Sequence, residues 1–394
     1  MSDLNRKKYS IAIALVCLII VGEVVFVCFS GKEAPVDTFG SSSTPSSPVI
    51  SDRNIPAEDA NEKTVSKAPV SPAGPAAKIA TDSRNTTEVM AWIYPGEPAC
   101  KAPDEYANIG IVDVLKSEYF TVSDEGKLVF LTEKEAGCNG YSPENVAGMK
   151  KHSKGQYATV SSSYAKNMDV FLRKSLGGDD TIRTLVEFVV NNDMTGIELD
   201  FEDFGGWTGD IYPRYKEFVS ALGDALHKKG KKLMIDGPAI ANEEEAGWFS
   251  WRYEDMAVLP VDYAVIMLYD YQFDHGTGTP IAPIPWMKEV IARTKEKLPD
   301  IRKIVVGIPS YGYKGTIRKS QITILTYEQL RQEKGFETAV RDADSGEMTW
   351  RRGDVVYFYQ DSESMRIKRK VIESLGITSV SVWHLGGNPW FQKE

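Results

Sequence analysis

Short apolar runs that alternate with amphipathic stretches are the feature that most constrains the fold of this chain. Eight such runs lie between residues 89 and 383, and helical stretches separate most of them. Parallel strands need crossovers of this kind, because a helix must return the chain to the edge where the strand began. Eight strands in about 300 residues fit an α/β fold of the (β/α)8 TIM-barrel type better than an open α/β sheet, which remains the alternative.

The predicted strands are Val89–Tyr94, Ile109–Val114, Gln156–Ser162, Gly196–Phe201, Lys232–Asp236, Tyr263–Leu268, Lys303–Ile308 and Ser379–Trp383. The predicted helices are Glu144–His152, Asp180–Val190, Tyr212–Lys229, Trp251–Leu259, Pro285–Lys297 and Ser362–Leu375. The alternation breaks after the seventh strand, where short antiparallel strands and one short helix predict a small α+β insertion at about residues 313–361. The barrel domain as a whole is predicted at residues 88–394.

The first 87 residues differ from the rest. Basic residues at positions 6–8 precede an apolar run that ends near Phe29 and contains one charge, Glu23. Such a run is long enough to cross a bilayer, so residues 1–30 predict a membrane anchor, with a cleaved signal peptide as the alternative. Residues 31–87 are rich in Pro, Ser and Ala and predict a disordered linker. We expect a single-pass membrane protein with the barrel outside the cell, or a secreted protein if the signal is cleaved.

Charge and composition narrow the range of partners. The chain has 46 basic and 55 acidic residues and a net charge of −9, which disfavours binding to nucleic acid. Its four cysteines and four histidines form no CxxC or HxxxH pair, and no phosphate-binding loop is present, so we predict no metal site and no cofactor. Cys100 and Cys138 could form a disulfide in an exported domain, which the sequence leaves open. We expect a monomer.

Carboxylates occupy alternate positions at the end of the fourth predicted strand: Glu198, Asp200 and Glu202. Side chains two apart lie on one face of a strand, roughly 6–7 Å from each other. The intervening residues, Ile197, Leu199 and Phe201, are apolar and suit the opposite, packed face. A row of like charges repels, and a catalytic centre has a use for that repulsion because it raises carboxyl pKa values. A cation site and a solvated edge strand are the alternatives.

The segment Thr195–Asp203 resembles the DxxDxDxE signature of glycoside hydrolase family 18, the chitinases and related N-acetylglucosaminidases. Thr195 and Glu198 depart from its first two Asp positions, whereas Asp200 and Glu202 match. Three other segments are similar to the family's sixth, seventh and eighth strands: Met267–Asp270, Val306–Gly312 and Val382–Gly387. The family's S-x-G-G is replaced by Ser161–Ser163. The insertion and the chain's end resemble bacterial spore-cortex and cell-wall members most.

The resemblance implies a retaining mechanism in which the substrate's own acetamido oxygen attacks the anomeric carbon. Glu202 would be the acid and then the base, Asp200 would orient the acetamido group, Glu198 would stand behind Asp200, and Tyr269 would donate a hydrogen bond. The resemblance and the aromatic residues near strand ends also suggest substrate-binding positions at Trp383, Asp270, Met267, Trp92, Tyr94 and Trp207. For the aromatic members of this set, packing in the core is the alternative role.

The function predicted from these features is an exported retaining glycosidase that hydrolyses β-1,4 bonds of N-acetylglucosamine-containing glycans. Peptidoglycan is favoured slightly over chitin, because a tethered enzyme stays beside the wall. The alternative is a catalytically silent sugar-binding lectin on the same barrel. Such lectins typically lack the acid at the position of Glu202, which this chain keeps.

Overall fold

The computed structural model of the chain describes residues 87–93 and 112–391. Its centre is eight parallel strands: β1 (Glu88–Ile93), β2 (Val112–Val122), β4 (Ser153–Ser162), β5 (Gly196–Phe201), β6 (Lys232–Pro238), β7 (Tyr263–Met267), β8 (Ile304–Pro309) and β14 (Ser379–Leu385). They pair in chain order, and β1 pairs with both β2 and β14, which closes the sheet. The predicted TIM barrel is confirmed, and the open sheet is excluded. A short strand, β3 (Leu128–Phe130), pairs antiparallel with β2.

Helices surround the barrel. The longer ones are α2 (Pro143–His152), α3 (Ala165–Leu176), α4 (Thr181–Asn191), α5 (Ile211–His227), α8 (Ile284–Lys297) and α10 (Ser362–Ser374). The shorter ones are α1 (Glu133–Ala136), α6 (Glu243–Ala246), α7 (Tyr271–His275) and α9 (Tyr327–Leu330), with 3-10 turns at Phe204–Gly206, Tyr253–Ala257, Ile301–Lys303, Ile317–Lys319 and Phe336–Thr338.

Two hydrophobic layers fill the structure, one on each face of the strands. On the outer face, the Phe201 ring lies 5.7 Å from Phe171 of α3 and 6.5 Å from Phe218 of α5, and all three rings are buried. Burying one such side chain contributes about 1.5–3 kcal/mol. The inner face holds a smaller cluster formed by Met90, Trp92, Val114, Tyr157, Met234, Val265 and Val305. Apolar and aromatic side chains therefore fill this part of the barrel interior.

The insertion lies between β8 and α10 and is a five-stranded antiparallel sheet. Its strands are β9 (Gly312–Thr316), β10 (Gln321–Leu325), β11 (Val340–Arg341), β12 (Met348–Arg352) and β13 (Val355–Tyr359), in the order β10-β9-β13-β12-β11. Trp350 and Tyr357 stack at 3.9 Å between ring centroids, across the β12–β13 pair. The insertion agrees with the predicted small α+β unit after the seventh barrel strand.

Two predicted elements differ from the structure, and one longer helix is absent from the predictions. β2 extends to Val122, eight residues past its predicted end at Val114. Helix α3 was not predicted. The helix predicted at Trp251–Leu259 is wrong, because only Tyr253–Ala257 forms a 3-10 turn there. The Asp255 N–H donates to the Arg252 carbonyl at 3.3 Å, the i→i−3 bond of a 3-10 turn in place of the α-helical i→i−4 bond.

The predicted anchor at residues 1–30 lies outside the described residues, as does the predicted linker up to residue 86. Among the helices of residues 87–93 and 112–391, none has the length and apolarity needed to cross a membrane. Cys138 is disulfide-bonded, and Cys100 lies outside the described residues.

A buried ion pair joins the insertion to the barrel. Lys368 of α10 and Glu347, just before β12, are both fully buried, and their charged atoms lie 3.1 Å apart. Glu347 also accepts hydrogen bonds of 2.8 Å from the backbone N–H groups of Ile281 and Ala282. The remaining bonds of the Lys368 ammonium go to the carbonyls of Ala282 and Ser345. Each charge is thus satisfied in the absence of water.

Removing the cation of this pair should destabilise the protein strongly. Lys368→Met leaves the Glu347 carboxylate buried without a counter-charge, which costs about 3–5 kcal/mol. Lys370→Met changes an exposed lysine of the same helix and should alter stability by less than about 0.5 kcal/mol. Urea unfolding followed by tryptophan fluorescence measures both variants. Equal stabilities of the two variants would contradict the role given to the pair.

Candidate active site

Strand β5 directs its acidic and apolar residues to opposite faces. Glu198 pairs with Thr159 and Asp200 with Ser161 in the β4–β5 ladder. Ile197, Leu199 and Phe201 belong to the outer hydrophobic layer. The ladder continues one residue past the strand, because the backbone N–H of Glu202 donates to the Ser162 carbonyl at 2.9 Å. Glu198 is therefore deepest in the barrel, and Asp200 and Glu202 follow toward its carboxyl end.

Glu198 is fully buried and is held by donors from three other strands. Trp92 of β1 donates its indole N–H to Oε2 at 3.1 Å, and the Thr159 hydroxyl donates to the same oxygen at 2.5 Å. Lys116 of β2 forms an ion pair with Oε1 at 2.5 Å. The Lys116 ammonium also lies 3.1 Å from the centroid of the Trp92 ring. This carboxylate is thus fixed on both oxygens.

Asp236 of β6 is a further buried carboxyl that the sequence analysis did not identify. Among the described residues, no group forms a hydrogen bond with either of its carboxyl oxygens. Burial, followed by the charge of Glu198, raises its pKa well above the ordinary value. The protonated form of Asp236 is therefore favoured. The sequence signal was a single acid at the end of an apolar strand, Lys232–Pro238.

Asp200 and Glu202 hold protons more tightly than ordinary carboxyls. Burial, then the charges of Glu198 and Glu118, raises the pKa of Asp200 to about 8. Burial, then the charges of Asp200 and Asp270, raises the pKa of Glu202 well above its usual value. Both shifts arise because partial burial disfavours the charged form and neighbouring carboxylates repel. A proton is therefore available at the carboxyl end of β5.

Glu118 of β2 adds another carboxyl to this end of the barrel. The Ser161 hydroxyl donates a hydrogen bond to Glu118, and Ser161 occupies part of the segment that replaces the S-x-G-G of the resemblance. Burial raises the pKa of Glu118 to about 7. The sequence analysis missed it because β2 was predicted to end at Val114. Lys116 and Glu118 continue the alternation of Val114 on the same face.

Tyr269 and Asp270 follow β7 directly. Asp270 has a left-handed backbone with φ of 66° and accepts hydrogen bonds from the Tyr311 hydroxyl and from Gln272. Burial raises its pKa to about 6. The Tyr269 ring lies against Gly307 of β8, where an added Cβ would be 3.1 Å from the ring. A glycine at this position leaves the space that the ring occupies.

Trp383 of β14 is half-buried and forms an aromatic wall with two tyrosines. Its ring is nearly parallel to Tyr269 at 6.3 Å and perpendicular to Tyr311 at 5.1 Å. Met267 ends β7, is half-buried and packs against the hydrophobic core. Burial, followed by the charge of the nearby Asp200 carboxyl of β5, raises the pKa of Tyr269 in this wall well above its usual value.

Two of the predicted aromatic platforms are buried, and a third is outside the described residues. Trp207 is 2% exposed and packs among Phe204, Tyr215 and Trp251, so it cannot offer a ring face to a sugar. Its indole N–H instead donates to the Glu202 carbonyl at 2.8 Å. Trp92 is 6% exposed and serves as a donor to Glu198. Tyr94 lies outside the described residues.

The site contains acids and hydrogen-bond donors. Within residues 87–93 and 112–391, no three His, Cys, Asp or Glu side chains are arranged to hold a metal ion. The carboxyls can transfer protons to or from a bound molecule. The half-buried aromatic wall beside them suits a neutral polar substrate that has an apolar face.

Comparison with known proteins gives matches at the level of sequence and of fold. The glycosylase YvbX of Bacillus subtilis is 26% identical over 211 residues, which are 51% of this chain and 60% of that protein. The chitinase of Chromobacterium violaceum has a TM-score of 0.64 at 21% identity, over 77% of this chain and 95% of the other. The spore cortex-lytic enzyme SleL of Bacillus cereus has a TM-score of 0.64 at 18% identity, over 77% of this chain and 72% of SleL.

The two structural similarities establish a shared fold, and the chain spans about 60% of the length of its relative YvbX. The family is identified by a match between the sequence and a family model. Glycosyl hydrolases family 18 matches residues 123–388, which is more than half of the chain and includes β5, the residues after β7 and Trp383. The chain therefore belongs to glycosyl hydrolases family 18.

Proposed function

We propose that the barrel is the catalytic domain of a glycosidase that cleaves β-1,4 bonds of N-acetylglucosamine-containing glycans with retention of configuration. One observation carries the proposal: the carboxyls of β5 follow each other from the buried Glu198 to the half-buried Asp200 and Glu202 at the open end of the barrel, and these last two have raised pKa values. Membership of the family and the kept acid at Glu202 favour hydrolysis over silent sugar binding.

In the first step, Glu202 gives its proton to the glycosidic oxygen. Its raised pKa keeps that proton in place at neutral pH. The substrate's acetamido oxygen attacks the anomeric carbon, so the leaving group departs and a cyclic oxazolinium ion forms. Asp200 passes its proton to Glu198 behind it, accepts a hydrogen bond from the acetamido N–H and stabilises the positive charge, while Tyr269 donates to the acetamido oxygen.

In the second step, water attacks the anomeric carbon from the side that the leaving group has vacated. Glu202, now ionised, takes a proton from that water, and the acetamido group is released unchanged. Trp383 forms the apolar floor under the reacting sugar, and Asp270 binds its hydroxyls. Glu198 holds Asp200 in place from behind and is itself fixed by Trp92, Lys116 and Thr159.

We further propose that the enzyme is exported and tethered by residues 1–30, with peptidoglycan as its polymer. The apolar N-terminal run and the Pro-rich segment after it support this localisation. The shared fold with a spore cortex-lytic enzyme is compatible with a wall substrate. Digestion of purified peptidoglycan and of chitin, followed by mass analysis of the products, distinguishes the two polymers.

Glu202→Gln should remove the acid while keeping the shape of the side chain. We expect turnover of a chromogenic N-acetylglucosamine oligomer to fall about 10²–10⁴-fold, the usual contribution of a general acid. Glu244→Gln, which neutralises an exposed carboxylate, should leave turnover near the wild-type rate. Unchanged turnover after Glu202→Gln would exclude this residue as the acid.

The acetamido group should be indispensable at the cleaved position. Glucose-based and deacetylated oligomers lack the nucleophile, and Asp200 is not free to replace it if it meets the acetamido nitrogen. We expect no measurable hydrolysis of these analogues under conditions in which the N-acetylated oligomer is cleaved. Comparable rates on both substrates would indicate a glycosidase with two catalytic carboxylates instead.

The stability of Asp200→Asn relative to wild type should increase as the pH rises. Wild-type Asp200 has a pKa raised to about 8, so between about pH 4 and 8 the native state holds a proton that the unfolded state has lost. Native stability then falls with pH by up to about 1.4 kcal/mol per unit, and asparagine removes this slope. Urea unfolding at several pH values measures the difference between variant and wild type.

Asp180→Asn is a control of opposite sign. Arg183 lowers the pKa of Asp180, so this carboxylate stabilises the native state above its unfolded pKa and loses that effect as the pH falls. The Asp180→Asn variant should therefore be less stable than wild type at neutral pH, with the difference vanishing in acid. Parallel pH profiles for Asp200→Asn and wild type would show that Asp200 titrates normally.

A further inference from the structure

Lys116 is a buried cation that neither the family resemblance nor the proposed mechanism uses directly. It is fully buried, and its ammonium contacts the Glu198 carboxylate at 2.5 Å, the Met234 sulfur at 3.9 Å and the Trp92 ring. Taking an ammonium out of water costs several kcal/mol unless it is paired. Two of its three contacts are to soft or aromatic groups, so Glu198 supplies the compensating charge.

Three carboxyls share the interior with this one ammonium: Glu198, Asp200 and Asp236. The charge of Lys116 lowers the pKa of Asp200 and of Asp236, whereas the charge of Glu198 raises both. The other titratable groups linked electrostatically to these carboxyls are Glu118 from β2, Tyr157 from β4, Glu202 at the end of β5, Tyr215 from α5, Tyr253 from the 3-10 turn before β7, and Tyr269 and Asp270 after β7. All of these are acids that add no positive charge.

We propose that Lys116 is a positioning residue that sets how many protons Glu198, Asp200 and Asp236 hold between them. A dry interior tolerates a carboxylate that an ammonium balances and strongly disfavours a second one. One ammonium therefore permits one ionised carboxylate at rest, and the remaining carboxyls keep their protons. Lys116 thus fixes the charge of the cluster, while hydrogen bonds from Trp92 and Thr159 place that charge on Glu198.

The consequence for hydrolysis rests on the proposed function. Asp200 must become ionised to stabilise a cationic intermediate, and the ammonium makes that ionisation easier. Without the ammonium, ionisation of Asp200 would require a higher pH. Lys116 would therefore influence the reaction through Asp200 without contacting the substrate.

The proton count can be measured without any substrate. Infrared difference spectra of the whole protein at neutral pH separate ionised carboxylates from protonated carboxyls. In Lys116→Met, we expect one fewer carboxylate and one more protonated carboxyl than in wild type. A folded Lys116→Met variant with the wild-type proton count would overturn the proposal.

A second pair of variants keeps the proposal testable if Lys116→Met does not fold. In Glu198→Gln, Lys116 should keep one of the remaining carboxyls ionised, whereas Lys116→Met/Glu198→Gln should hold one carboxylate fewer. The double variant removes both charges together, which buried sites tolerate better than the loss of one partner. Equal carboxylate signals in the single and double variants would contradict the role of Lys116.

The kinetic test uses the other buried lysine–glutamate pair as a matched control. Lys116→Met should move the acid limb of the pH–rate profile upward by about 1–3 pH units, the usual effect of a nearby opposite charge. Lys368→Met also removes a buried cation but lies in the contact between insertion and barrel, so its acid limb should stay in place. An identical shift in both variants would show a general effect of destabilisation.

The two proposals fail separately. If the infrared count changes as expected but wild-type protein hydrolyses no N-acetylglucosamine oligomer, the proposed function is wrong and the role of Lys116 in setting the charge stands. If wild-type protein hydrolyses the oligomer and Lys116→Met changes neither the count nor the acid limb, the function stands and Lys116 is only a structural cation.

Discussion

The central constraint on this protein is that several carboxyls share the interior of a barrel with the ammonium of Lys116. Glu198, Asp200 and Asp236 would be prohibitively costly to bury if all were ionised. Lys116 compensates one charge, and raised pKa values keep protons on the others. The open end of the barrel consequently holds two carboxyls with raised pKa values, Asp200 and Glu202. A proton store of this kind is what an acid catalyst needs.

The closed sheet makes that arrangement rigid. The charged side chains come from three strands: Lys116 from β2, Glu198 and Asp200 from β5, and Asp236 from β6. The register of the β4–β5 pair places Glu198 beside Thr159. The helices pack on the outer face, where Phe201 meets Phe171 and Phe218. Movement of one carboxyl would therefore require repacking on both faces of β5, and a close-packed interior resists such changes.

The region after β8 completes the site from the other side. Tyr311 begins the path into the insertion, donates to Asp270 and packs against Trp383. The buried pair of Lys368 and Glu347 joins that insertion to the barrel. The insertion thus supports the aromatic wall beside the carboxyls, although its own sheet lies outside the barrel ladder.

The sequence by itself determined the barrel, the insertion and the alternation of β5, because hydrophobic periodicity is local and survives in any fold that buries those faces. It also identified the residues after β7 and Trp383 through short motifs. It could not reveal Lys116, Glu118 or Asp236 as partners of that strand, since they come from β2 and β6 and only closure of the sheet brings them together. Nor could it decide the roles of Trp92 and Trp207. A tryptophan near a strand end can pack, donate a hydrogen bond or face a ligand, and the choice depends on the neighbours that tertiary structure supplies, here Glu198 and the Glu202 carbonyl.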